Sequence, residues 1–173
     1  MGTKLIYKLA LVMVIIIFVE YQCYGILAQE KATKTYNIQS AKYASKLISK
    51  QLKIPEYKEI LSKGVDSKYY GEVNELLNLM KHLISSSDIR IESKISEVES
   101  RVIIGTNKSG YNIPIENDSM YNRSETFHLI KKTNSGETMT GHTPIKNESG
   151  DIIGLITVEY KSGDCYGLPY AYT

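Results

Sequence analysis

Few residues in this sequence have the chemistry to hold a ligand, and none forms a catalytic motif. Arg101 and Arg123 carry guanidinium groups that can grip a carboxylate through two parallel hydrogen bonds. Arg101 precedes the β-branched run Val102-Ile103-Ile104, so it reads equally as a strand-edge arginine paired with Glu97 or Glu99. The same two readings hold for Arg123, in a stretch rich in Asn and Ser. His128 stands between Phe127 and Leu129, and His142 just before Thr143-Pro144-Ile145. Either can donate to an anion, and either can be a strand histidine satisfied by its neighbours. Tyr111 and Tyr121 can roof a pocket, or be surface tyrosines of a chain that has 14 of them. His82 reads as a solvated or packing residue on a helix. Three histidines so far apart make no metal motif. No phosphate-binding glycine loop, nucleophile elbow or zinc-protease helix is present. The expectation is a protein that is not an enzyme and has no cofactor or metal.

The 173 residues suit about one domain, and 42% hydrophobic with 23% charged residues is ordinary globular usage. A net charge of +2 gives no basic face for nucleic acid. Cys23 and Cys165 are too few for a disulfide scaffold; at most Cys165 could bridge two molecules in an oxidising compartment.

The elements that must position these residues begin at a membrane end. Lys4 and Lys8 precede the apolar run Leu9–Val19, and Glu20 closes it. From Leu5 to Leu27 the stretch is long enough to span a bilayer if Lys8 snorkels inward and Glu20 sits at the outer interface. The alternative is a signal peptide cut after Ala28. Both export the remainder, with the N-terminus inside. Residues 1–28 are therefore the anchor or signal segment, 29–161 the extracytoplasmic domain and 162–173 an irregular tail.

Within the domain, Ala41, Ala44, Leu47, Ile48 and Leu52 recur at helical steps and predict a helix over 29–54. Pro55 opens a short helix that Gly64 ends. Tyr69, Val73, Leu76, Leu77, Met80, Leu83 and Ile84 form the apolar stripe of a third helix, with Ser67 as its cap and Ser85-Ser86-Ser87 as its end. From Asp88 the period changes to two. Ile89, Ile91 and Ile95, then Val102–Ile104, predict strands, as do 126–133, 137–145 and 152–160. Residues 106–124 read as a long connection. Asn147–Asp151 is a five-residue turn that makes the last two strands an antiparallel hairpin. Helices followed by about five strands predict an α+β fold with helices on one face of an antiparallel sheet.

The segment from Gly136 to Tyr160 resembles the last hairpin of extracytoplasmic Cache sensor domains, the PAS-like ligand-binding domains of bacterial chemoreceptors and sensor kinases. The matching residues are Pro144-Ile145, Ser149-Gly150, Ile152-Ile153, Gly154 and Val158-Glu159-Tyr160. SAKYASKLISKQL is similar to the family's long membrane-proximal helix, and DSKYYGEVNELLNLMKHLI to the helix before its first strand. The resemblance covers about residues 30–161 in layout; the central strands match poorly, and no second membrane helix or signalling module follows the sheet. It implies a membrane-anchored chemoreceptor-like sensor, either a fragment of a longer receptor or a stand-alone domain. The alternative is an exported binding protein with no signalling role. The family layout brings Arg101, Tyr111, Tyr121, Arg123, His128 and His142 around one pocket, between the sheet and the 106–124 connection. A small polar or anionic metabolite is the expected ligand, and the long N-terminal helix is the surface offered to a homodimer. Asn-X-Ser at Asn107, Asn117, Asn122 and Asn147 follows from an Asn- and Ser-rich composition more readily than from glycosylation in a bacterial family.

Overall fold

A computed structural model of the chain describes residues 2–115, 118–133 and 136–162; the side chains of 2–17, 19, 118, 119 and 133 are outside the description. Helix α1 runs over Gly2–Gln51, well beyond the predicted start at 29. The chain forms two compact units, Met1–Tyr36 and Asn37–Thr173. In the first unit every described side chain from Glu20 to Lys31 is exposed, including Tyr21, Tyr24, Ile26 and Leu27. Among the described residues no helix is long and apolar enough to cross a membrane. The apolar run that motivates the anchor, Leu9–Val19, lies almost wholly outside the described side chains. Asn117, Cys165 and the tail beyond Ser162 also lie outside the described residues.

The second unit carries the remaining elements. Helix α2 (Ile54–Lys63) has Pro55 in its first turn, where a missing N–H costs nothing. It ends on Gly64, at φ 58°, a backbone conformation that disfavours a Cβ. Helix α3 (Tyr70–Ile84) begins three residues after Ser67, whose hydroxyl accepts the Tyr69 N–H at 3.2 Å and so caps a turn before the helix proper. Ser85 closes α3 in the left-handed conformation at φ 53°.

Six strands follow, one more than expected: β1 (Asp88–Lys94), β2 (Glu99–Gly105), β3 (Asn112–Pro114), β4 (Phe127–Thr133), β5 (Gly136–Lys146) and β6 (Ile152–Lys161). They form one curled antiparallel sheet in the order β3-β2-β1-β6-β5-β4. The additional strand, β3, is only three residues long and lies inside the predicted connection. It exists because Ser100 and Arg101 at the edge of β2 pair with Ile113 and Asn112. A short 3-10 helix over Asp118–Asn122 orders more of the same stretch. The β5–β6 hairpin turns over residues 147–151 as read from the sequence; Asn147 closes the turn by accepting the Asp151 N–H at 2.8 Å.

The core lies between one sheet face and the three helices. Ala41, Ala44 and Ile48 of α1, Tyr57 and Ile60 of α2, and Val73, Leu77 and Met80 of α3 pack on Ile89, Ile91, Ile104, Met139, Ile145, Ile156 and Val158. Alternate residues on the same strands turn to the opposite face. Close approach is built in by two glycines. A Cβ on Gly141 would lie 2.5 Å from Lys42 N and 2.7 Å from Ala41 O of α1. One on Gly154 would lie 2.5 Å from the Tyr57 hydroxyl, which donates to Ile153 O at 2.9 Å.

Candidate ligand-binding site

The sheet face opposite the helices holds a cavity of about 310 Å³. Its floor comes from alternate residues of four strands: Arg90 and Glu92 of β1, Glu159 of β6, Thr138, Thr140 and His142 of β5, and Leu129 and Lys131 of β4. Ser100 of β2 adds to it. The roof is Ile113, Pro114, Ile115, Met120 and Tyr121, the segment read from sequence as the 106–124 connection. A second apolar cluster of Tyr121, Phe127 and Leu155, with Ile115, Met120, Leu129 and Ile152 against it, ties that roof to the sheet.

Charge in the cavity is organised around Arg90. Its Nε donates to Glu92 Oε1 at 2.8 Å, and its Nη1 to Glu159 Oε2 at 2.9 Å and Asp88 Oδ2 at 3.3 Å. Burial by itself would lower the Arg90 pKa, but the Glu92 and Glu159 carboxylates outweigh it and the guanidinium is held charged. Thr106 donates to Asp88 Oδ1 at 2.8 Å, and Ser100 to Glu92 Oε2 at 3.4 Å. Three carboxylates thus face one guanidinium, with Lys161 Nζ 3.7 Å from Glu159 Oε1 and Lys131 on the cavity floor as further cations.

His142 is buried, with both ring nitrogens engaged: Nε2 with Thr140 Oγ1 at 2.7 Å and Nδ1 with Thr157 Oγ1 at 3.0 Å. Phe127 stacks on it, centroids 4.9 Å apart, and the Arg123 guanidinium lies 4.8 Å from the Phe127 centroid in a cation–π contact. Burial, then the nearby charges of Arg90 and Arg123, push the imidazole pKa down to about 3. A neutral ring held by two threonines adds no positive charge to the cavity.

Of the six residues expected around a pocket, Tyr121 and His142 line this cavity. Tyr111 is half-buried beside it, where burial raises its pKa and the charges of Arg90, Asp88, Glu92 and Glu159 act on its hydroxyl. Arg123 reaches the site through its contact with Phe127 and through its charge, which helps lower the His142 pKa. Arg101 and His128 are placed elsewhere. His128 pairs with Gly141, so it is on the sheet face that Gly141 turns to α1, and it is exposed. Arg101 is displaced by a bulge. Ile91 pairs with Ile104 but Glu92 pairs with Val102, so Ile103 is the extra residue and the register slips by one. Without that slip Arg101 would share the face of Arg90 and Glu92; with it, Arg101 opposes Ser93 and borders a different groove beside Ile60, Leu61 and Val65. Arg90, Glu92, Glu159, Thr138 and Thr140 do not stand out in the sequence as ligand residues. A signal for the first two is nonetheless there in Asp88-x-Arg90-x-Glu92, polar residues alternating with Ile89 and Ile91, which puts all three on one face.

No family model matches the sequence, and no curated protein matches it. Solved structures do match in fold. The sensor domain of Escherichia coli DcuS superposes with a TM-score of 0.57 at 11% identity, covering 78% of this chain and 95% of that one. The sensor domain of the Vibrio cholerae histidine kinase DctB gives 0.53 at 14% identity, over 83% of this chain and 59% of that one. The ligand-binding domain of the Campylobacter jejuni chemoreceptor Tlp3, in complex with L-norvaline, gives 0.50 at 12% identity, over 82% and 61%. The fold is that of the Cache-type sensor domains. This chain spans nearly all of the DcuS domain but only about three fifths of the DctB and Tlp3 domains.

Proposed function

We propose that this chain is an extracytoplasmic small-ligand sensing domain of a membrane-anchored, chemoreceptor-like signal-transduction protein, with a binding and not a catalytic role. The observation that carries this reading is the cavity between a sheet floor with charged and hydroxyl side chains and an apolar roof of Ile113, Pro114, Ile115, Met120 and Tyr121, on the face opposite the helices. Its volume suits a small metabolite. A small polar or anionic metabolite is the ligand class this reading expects. Support for the sensor role also comes from the solved sensor and ligand-binding domains that share the fold.

The strand that lines the cavity is also the strand that holds α1. On β5, Thr138, Thr140 and His142 face the cavity, while Gly141 abuts the Ala41–Lys42 backbone and Thr143 bonds Ser45 of α1 at 2.9 Å. On β6, Glu159 faces the cavity and Tyr160 shares a 2.9 Å hydrogen bond with Ser40. A ligand that shifts β5 or β6 by a fraction of an ångström therefore acts directly on the long helix, the element that leads toward the proposed anchor. Differential affinity for two positions of that helix is what turns binding into a signal. A homodimer through α1 belongs to the same reading.

The test is a thermal-shift screen of amino acids, amines and small carboxylates on the full chain, since binding to the folded state alone raises Tm with ligand concentration. Any hit should be lost in Leu129→Trp, which fills the cavity from β4. Hits that persist unchanged in that variant place the ligand elsewhere.

A further inference from the structure

Between Glu30 and Glu56 the chain has six lysines and no Asp or Glu. Three of them, Lys42, Lys46 and Lys50, follow at four-residue steps and so stack on one face of α1. Like charges at that spacing repel, and after Glu30 the helix has no carboxylate to offset them. The fold adds a fourth lysine to this row. A groove of about 630 Å³ takes Lys42, Lys46 and Lys50 from α1 and Lys146 from the end of β5. None of the four has an ion pair among the described residues. Glu125 is the carboxylate in the lining. The charges just outside are engaged elsewhere: Lys53 pairs with Glu56 at 3.4 Å, Arg123 lies over Phe127, and Asp151 accepts the Asn147 amide. Even with Glu148, exposed in the turn beyond Lys146, counted against them, the cations are in excess. The groove is also held together. Ser45 Oγ donates to Lys42 O at 3.0 Å, so its 2.9 Å contact with Thr143 Oγ1 needs the Thr143 proton, and Thr126 in turn donates to Thr143 at 3.0 Å. That relay ties α1, β5 and residue 126 together and commits all three protons, which leaves the lysine ammonium groups as donors to a guest.

We infer that this groove is a second ligand site, sharing no lining residue with the sheet cavity, for a small free anion of two or more charges, a phosphate or a polycarboxylate. Such an anion accepts from several ammonium groups at once and relieves the repulsion along α1. A monovalent anion meets only part of the row, and a single exposed ion pair is worth little. Because α1 and β5 both line the groove, an occupant strengthens the contact between them. The inference does not depend on the sheet cavity being a ligand site.

The test is calorimetric titration of pyrophosphate, citrate and acetate into the full chain in detergent, at constant ionic strength and in a buffer free of other multivalent anions. Pyrophosphate or citrate should bind and acetate should not; the tighter of the two tells a phosphoryl site from a polycarboxylate site. Lys46→Gln on α1 and Lys146→Gln on β5 should each weaken binding about twofold to fivefold, the worth of one exposed ion pair, and the double variant about tenfold. Lys46→Gln should not lower the unliganded Tm, since it removes a like-charge neighbour, so its weaker binding is not lost fold. Lys58→Gln, an exposed lysine of α2 outside the groove, should leave the affinity unchanged, and so should Leu129→Trp, which fills the sheet cavity. Acetate binding as tightly as the multivalent anions, an equal loss in Lys58→Gln, or full affinity in the double variant would overturn the site. Loss of binding in Leu129→Trp would move the anion to the sheet cavity and overturn it as well. So would the absence of binding by both multivalent anions at millimolar concentration, which leaves the reading of the sheet cavity untouched.

Discussion

At the scale of single residues, His142 shows how a titratable group can line a cavity without serving as its charge. Its two nitrogens are committed to Thr140 and Thr157, and Phe127 covers its face. The unfolded imidazole titrates near its ordinary 6.5, and the folded one at about 3. As pH falls below 6.5 the unfolded chain takes up a proton that the folded chain refuses. Stability should therefore decrease on acidification through this window and level off below about 3. Between about pH 7 and pH 5 the His142 contribution amounts to about 2 kcal/mol. Urea denaturation at the two pH values reads it: His142→Gln should lose about that much less than the parent chain on acidification. Equal losses in the two proteins would show that the ring is protonated in the folded state. The same residue illustrates what alternation hides. Its neighbour by pairing is Phe127, but His128, one step along, is turned to the other side of the sheet.

At the scale of elements, the decisive contact is α1 against β5. Ala41, Ala44 and Ser45 are the small residues that let the helix approach, and Gly141 is the matching gap on the strand. Gly141→Ala places a methyl 2.5 Å from Lys42 N, and the atoms it meets are backbone, not the movable end of a side chain. The expected cost is about 1–3 kcal/mol of stability by denaturant titration, as for other overpacked sites. Ligand responses should change as well, because the variant shifts the helix that the proposed signal passes through. A fully stable Gly141→Ala protein would mean that α1 is free to move away from β5, and that the cavity strand and the helix are not tightly coupled.

At the scale of the whole molecule, the proposed sensing role needs a tether if α1 is to pass a signal on. The run from Leu5 to Leu27, with lysines before it, motivates retention of the N-terminal segment as an anchor. Intact-mass spectrometry of the exported protein should then show residues 1–28 still attached. A mature N-terminus at Gln29 would instead leave a released binding protein, whose α1 no longer leads to an anchor.

What the sequence determined by itself was local. The stripe from Val73 to Met80, Pro55 opening α2, Gly64 ending it and the turn over residues 147–151 were all legible, because each depends on spacing within a dozen residues. The α+β order and the sheet with helices on one face followed from the change of period at Asp88. Tertiary structure alone decided which polar residues meet. Arg90 and Glu159 are 69 positions apart and become partners only because β1 pairs with β6. β3 is too short to signal itself and exists because the edge of β2 offers it a partner. Above all, one extra residue at Ile103 moves Arg101 off the cavity face and leaves Arg90 as its guanidinium. A bulge changes every side chain's face beyond it while leaving the sequence pattern almost untouched, so the strands could be read from the residues and the membership of the site could not.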